Sequence, residues 1–214
     1  MISTTASATG SSRFLALGDS YTIGEGVQPN QRWPAQLVRR LRSRGVELDE
    51  PEIIATTGWT TDELSAAMDA WTFAPPYAFV SLLIGVNNQY RGRDLENYRD
   101  EFSALLARAI ALAGGRTERV IVVSIPDWGV TRFARAKNRD ADLIAGEIDR
   151  FNAVARGIAA QHGVAYVDVT AASREAADGE AMLVGDGLHP SAAQYAEWTD
   201  SIVPAAMRAL SDRA

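Results

Sequence analysis

Cysteine is absent from the 214 residues, which excludes disulfides, thiolate nucleophiles and thiolate-bound metals together. Histidine occurs twice, at His162 and His189, so imidazole chemistry has two possible sources. No apolar run approaches the ~20 residues that a membrane-spanning helix needs. Residues 1–12, rich in Ser, Thr and Ala, lack the basic start and apolar stretch of a secretory signal. The expectation is a cytoplasmic protein without stable membrane insertion, its first 12 residues a loose tail. Cations are outnumbered: 21 Lys and Arg against 27 Asp and Glu give a net charge of −6. That balance argues against a nucleic-acid partner, whose phosphates demand clustered cations. It also sets a mild bias against heavily anionic substrates. Arg39, Arg40, Arg42 and Arg44 do gather, but on a helix whose cationic side reads as a solvated face.

What is present is the patterning of one ordinary soluble domain, residues 13–214, with 47% hydrophobic and 22% charged residues. Five short apolar runs, at 13–18, 52–56, 78–84, 119–125 and 164–168, are nearly continuous. That is the mark of strands buried on both faces. Amphipathic stretches at about 33–44, 60–70, 94–113, 139–161 and 191–210 separate or follow them. Pro34 suits a helix's first turn and Gly45 its end, while Thr60 or Thr61 suits a cap with Glu63 behind it. Repeated strand–helix units imply an α/β fold, a parallel sheet within a three-layer α/β/α sandwich.

Open parallel sheets bind ligands beyond the carboxyl ends of their strands. There this chain carries Gly18-Asp19-Ser20, Thr57-Gly58-Trp59, Gly85-Val86-Asn87-Asn88, Pro126-Asp127-Trp128 and, after the fifth strand, Asp186-Gly187-Leu188-His189. Taken singly, each is more simply read as a turn or cap. Together they supply a hydroxyl, an imidazole and a carboxylate three residues from it, which is the set needed for acyl transfer. Ser20 is the candidate nucleophile, His189 the base and Asp186 its orienting group. His162 falls at the opposite rim, at a helix C-terminus, where a surface histidine is the simpler reading. Gly58, through an N–H that no side chain shields, and Asn87, through its amide, are candidate oxyanion donors. Segment 126–138 is long for a strand–helix connection. Trp128 and Phe133 within it, Trp59, and Met182-Leu183-Val184 are candidate pocket walls, or equally aromatics and aliphatics that pack loops onto the core.

Gly18-Asp19-Ser20-Tyr21, Gly58, Gly85-Val86-Asn87-Asn88 and Asp186-Gly187-Leu188-His189-Pro190, in that order, resemble the four sequence blocks of the SGNH (GDSL-type) hydrolase superfamily. The resemblance spans nearly the whole chain after residue 12. It implies a flavodoxin-like sheet with strand order 2-1-3-4-5, a Ser20–His189–Asp186 triad, and an oxyanion hole of the Ser20 N–H, the Gly58 N–H and the Asn87 amide. One position departs from the pattern, because Asn88 stands where the family usually has Asp. The implied activity is hydrolysis of a small-molecule carboxylic ester with a small to medium acyl chain, requiring neither metal nor organic cofactor. An acyltransferase using the same acyl-enzyme and a non-catalytic small-molecule binding module are the other classes compatible with these residues. Oligomeric state is not encoded in any of these signals.

Overall fold

A computed structural model describes residues 12–176 and 180–211. The expected tail therefore lies outside the described residues except for Ser12, whose carbonyl accepts a hydrogen bond from the Asp49 N–H. The five apolar runs form strands β1 (Phe14–Gly18), β2 (Glu52–Ala55), β3 (Phe79–Leu83), β4 (Val120–Val123) and β5 (Ala165–Val167). They pair in parallel in the order β2-β1-β3-β4-β5, as the resemblance implies. Every residue of β1, β3 and β4 is buried, so these strands need cover on both faces and cannot alternate polar with apolar.

The helices are α1 (Ser20–Ile23), α2 (Trp33–Arg42), α3 (Thr61–Ala70), α4 (Val86–Tyr90), α5 (Leu95–Leu112), α6 (Arg132–Ala136), α7 (Ala141–Gln161), α8 (Thr170–Glu175) and α9 (Ala192–Ser211). Chain direction across the sheet reverses once: β1 leads through α2 to β2 on one side, and β2 then crosses back over β1 to β3. Right-handed crossovers put α2 on one face and α3, α5 and α7 on the other. The packing agrees, since α2 lies against α9 while α5 lies against both α3 and α7. Phe14 and Phe79, on paired strands, have ring centroids 5.1 Å apart. Trp33 and Trp198 fill the layer on the α2–α9 side with no exposed surface.

Local chemistry starts and stops these elements where function needs them. Thr60 and Glu63 form a reciprocal capping box at α3, with the Thr60 N–H donating to Glu63 Oε2 at 2.9 Å. Gly85, the turn out of β3, sits at φ +128, and a Cβ there would meet the Tyr98 ring at 2.6 Å. Both the left-handed backbone and the ring demand glycine. Gly85→Ala is expected to destabilise the fold by roughly 2–4 kcal/mol, read as a lowered midpoint with unchanged slope in urea titration.

Candidate active site

The reversal between β1 and β3 opens a crevice above their carboxyl ends, and the loops leaving these two strands form its floor. β1 ends at Gly18, where an added Cβ would lie 2.2 Å from Thr22 Oγ1 and 2.5 Å from the Leu83 carbonyl. Chain and sheet therefore approach closely at this turn. Asp19 then caps α1, its Oδ1 accepting from the Tyr21 N–H at 3.0 Å. Ser20 opens the helix, so its own N–H belongs to the first turn, which has no intrahelical acceptors. The residue is 4% exposed.

On the far side of the crevice, Asp186 and His189 share one tight turn. Asp186 Oδ1 accepts from the N–H groups of Leu188 at 2.8 Å and His189 at 3.0 Å, and Oδ2 lies 2.6 Å from His189 Nδ1. Burial alone would raise the Asp186 carboxyl, but the hydrogen bonds from the His189 ring and from these two backbone N–H groups outweigh it. The carboxyl is held below its ordinary value, so it is ionised at neutral pH. Gly187, at φ +71, lets the turn close. The turn is pinned from outside by Val184 N–H to the His189 carbonyl, 2.9 Å, and by Phe133 N–H to the Gly187 carbonyl, 3.0 Å. The His189 ring sits 5.7 Å from that of Tyr21.

Two further loops complete the rim. Gly58 stands at φ +90 with no side chain to crowd it, and its carbonyl accepts from Arg91 Nη2 at 2.6 Å. Asn87, on α4, donates one amide hydrogen to the Trp59 carbonyl at 2.9 Å. That bond fixes the plane of the amide and leaves its second hydrogen uncommitted. Asn88 is fully buried: Oδ1 accepts from the Thr61 N–H at 3.1 Å, and Nδ2 donates to Thr61 Oγ1 at 2.6 Å. Thr61 Oγ1 in turn bonds Glu101 Oε2. The amide thus ties the start of α3 to α4, and because it donates to Thr61 it frees the threonine proton for Glu101.

Ser20, Gly58, Asn87 and His189 all line one cavity of about 220 Å³, together with Tyr21, Thr57, Val86, Tyr90, Trp128, Phe133 and Leu188. Trp128 is held by its indole N–H, which donates to Gln89 Oε1 at 2.8 Å. Trp59 is not among the lining residues: its side chain packs onto the core and its role here is the carbonyl that Asn87 binds. Leu183 lines a separate small cleft beneath the same turn, and Val184 packs against Gly26. His162 is the exposed C-cap of α7, far from this rim. Tyr90 and Val86, which sequence reasoning passed over, are four residues apart on α4 and so project together. Among the described residues, no group of three or more His, Asp and Glu is arranged to hold a metal.

Residues 16–197 match the GDSL-like lipase/acylhydrolase family. The chain belongs to that family, and membership supports ester hydrolysis. No curated protein matches the chain. Among solved structures it is similar to TesA, with a TM-score of 0.72 and 21% identity over 92% of this chain and 99% of that one. It is similar also to the lipase/acylhydrolase from Enterococcus faecalis, with a TM-score of 0.69 and 23% identity over 92% and 95% of the two chains. A mutant of Axe2, an acetyl-xylooligosaccharide esterase from Geobacillus Stearmophilus, gives a TM-score of 0.66 and 23% identity over 95% and 96%. At such identities these likenesses show the shared fold.

Asp19 lies beneath the site with no exposed surface, and its Oδ2 has no partner among the described residues. Burial, only partly offset by hydrogen bonds from the backbone N–H groups of Tyr21 and Asp19, raises its pKa from 3.8 to about 7. Between those values the native state holds a proton that the unfolded state has released, so stability falls as pH rises from about 4 to 7. Asn at position 19 can still accept from Tyr21 N–H but cannot ionise. Asp19→Asn should therefore gain stability relative to wild type as pH rises from 4 to 7, measured by urea denaturation at several pH values. A constant difference across that range would refute the buried-carboxyl account.

Proposed function

We propose that the protein is a serine hydrolase that cleaves carboxylic esters of small to medium acyl chain through an acyl-enzyme. The observation that carries this reading is the 2.6 Å contact between Asp186 and the His189 ring, at a cavity that Ser20 also lines. Asp186 fixes Nδ1 as the protonated ring nitrogen, which leaves Nε2 basic. In the first half-reaction His189 takes the Ser20 hydroxyl proton as Oγ bonds to the acyl carbon. The carbonyl π electrons move onto oxygen, where the N–H groups of Ser20 and Gly58 and the free amide hydrogen of Asn87 receive them. Collapse of the tetrahedral adduct breaks the ester C–O bond, and the imidazolium hands its proton to the departing alkoxide. Water then repeats the attack with His189 again as base, and the acid is released with Ser20 restored.

The side chains lining the cavity away from Ser20 and His189 are mostly apolar, with Val86, Tyr90, Trp128, Phe133 and Leu188 facing it. Such walls suit a hydrocarbon acyl group better than a sugar, whose hydroxyls would lose water without gaining partners. The substrate is therefore a small molecule, and the reaction as written uses no cofactor.

A para-nitrophenyl ester series from acetate to decanoate tests this. Wild type should turn over the shorter members fastest, and Ser20→Ala and His189→Ala should each lower kcat by roughly 10⁴-fold or more. Absence of turnover with every ester, together with no labelling of Ser20 by a fluorophosphonate, would overturn the hydrolase reading.

A further inference from the structure

Gly58 has little packed around it to hold it in place. It sits at φ +90, and among the described residues outside its own turn a Cβ there would have one neighbour within 4 Å, Arg91 Nη2 at 3.7 Å. Its N–H makes no hydrogen bond among the described residues. A glycine so free of packing reaches many backbone angles at little cost, so nothing in the residue itself aims that N–H. The residues beside it are each tied down by a separate group. The Thr57 hydroxyl donates to Glu25 Oε2, the Trp59 carbonyl accepts from Asn87 Nδ2 at 2.9 Å, and the Thr60 N–H donates to Glu63 Oε2 at 2.9 Å.

Gly58 itself is reached by one side chain. Its carbonyl accepts from Arg91 Nη2 at 2.6 Å, while Nη1 of the same guanidinium lies 3.3 Å from Glu63 Oε1. Because the other oxygen of Glu63 caps α3, the guanidinium is anchored on the carboxylate that fixes the start of that helix. The planar fork lets Arg91 meet both partners at once, which the single ammonium of a lysine does less well.

Arg91 follows Asn87 by one turn of α4, its N–H donating to the Asn87 carbonyl at 3.0 Å. The two side chains therefore share one face of the helix, and they bind successive carbonyls of the facing turn, Gly58 and Trp59. A single bond from Asn87 would be a pivot about which the turn could swing. Two bonds from one helix face fix both the distance and the orientation of Gly58 relative to the Asn87 amide. Arg91 is exposed, and an exposed ion pair such as that with Glu63 adds little to stability, so placement is what the guanidinium supplies.

Resting on the ester-hydrolase reading, in which the Gly58 N–H and the Asn87 amide receive the oxyanion, we infer that Arg91 is a positioning residue for the reaction. Its guanidinium holds Gly58 where both donors reach the same oxygen. It touches neither substrate nor the reacting atoms, and its effect passes entirely through the Gly58 carbonyl.

Two readouts on Arg91→Ala and Arg91→Lys test this. Backbone amide NMR relaxation at Gly58 reads placement without catalysis: the order parameter should be about 0.85 in wild type and below about 0.6 in Arg91→Ala. Turnover of para-nitrophenyl acetate reads the consequence. In Arg91→Ala kcat should fall roughly 10- to 100-fold, as for a donor displaced by about 1 Å. KM should change less than about twofold, because the oxyanion bond forms only in the transition state. Arg91→Lys should lie between the two, and added ethylguanidinium should restore part of kcat in Arg91→Ala but none in Asn87→Ala. A Gly58 order parameter unchanged by Arg91→Ala, or a kcat that does not fall, would overturn the inference and leave Arg91 as a surface ion pair. Wild-type protein that turns over no ester would instead defeat the hydrolase reading, while the relaxation result still decides whether Arg91 holds Gly58.

Discussion

Strand β1 has apolar side chains on both faces and neighbours on both edges, so it can exist only at the centre of a covered sheet. From that requirement the rest follows. Cover on both faces demands that crossovers lie on both sides of the sheet, and right-handed crossovers achieve this only if the chain reverses direction across it. The reversal separates the loops leaving β1 and β3, and the gap between them is the cavity that Ser20 and Asn87 both line. The site is thus a by-product of covering a greasy strand, and the polar residues occupy a crevice that topology had already opened.

Crevice alone would not hold five polar groups in register. Each loop is fixed by a bond that has nothing to do with acyl chemistry: Asp19 to the Tyr21 N–H, Asn87 to the Trp59 carbonyl, Asn88 to both ends of Thr61, and Gly187 to the Phe133 N–H. All but the first of these contacts cross between loops that follow different strands, so a displacement of one loop is resisted by its neighbour. Pre-organised dipoles need not reorient as charge develops, which is where such sites gain most over water. The departure at Asn88 fits within this network. A carboxylate there could only accept, and the Thr61 proton would then be drawn to it and away from Glu101; the amide accepts from one Thr61 group and donates to the other.

Much of this was legible in the amino-acid sequence, for reasons that can be named. Continuous Val, Ile and Leu runs signalled strands buried on both faces, and the five of them appear within a residue or two of the expected bounds. Thr60 with Glu63 announced a helix start through a side-chain bond that needs no tertiary partner. Ser20, Asp186, His189, Gly58 and Asn87 were readable as candidates because they follow strands in a fold that sends such residues to one rim. What stayed hidden is what tertiary packing decides. Trp59 looked like a pocket wall, yet the turn after Gly58 swings its ring onto the core and presents its carbonyl instead. The short helices α1, α4, α6 and α8 are too brief to show a helical period. Tyr90 consequently went unseen, since only α4 brings it beside Trp128, with ring centroids 5.2 Å apart.

The same limit governs charge. A sum over the sequence cannot say which cations find carboxylates, because most ion pairs here join residues far apart in the chain, such as Arg91 with Glu63 and Arg174 with Asp127. Once those pairs are formed, the charge left over is not the average charge of the protein. Pairing removes cations from the flanks of α3 and α5 and leaves others, Arg39, Arg44 and Arg135 among them, bonded to backbone carbonyls instead. The charge that an approaching ligand meets is set by what the fold leaves unpaired, and the fold, more than the composition, decides which ligands suit the cavity.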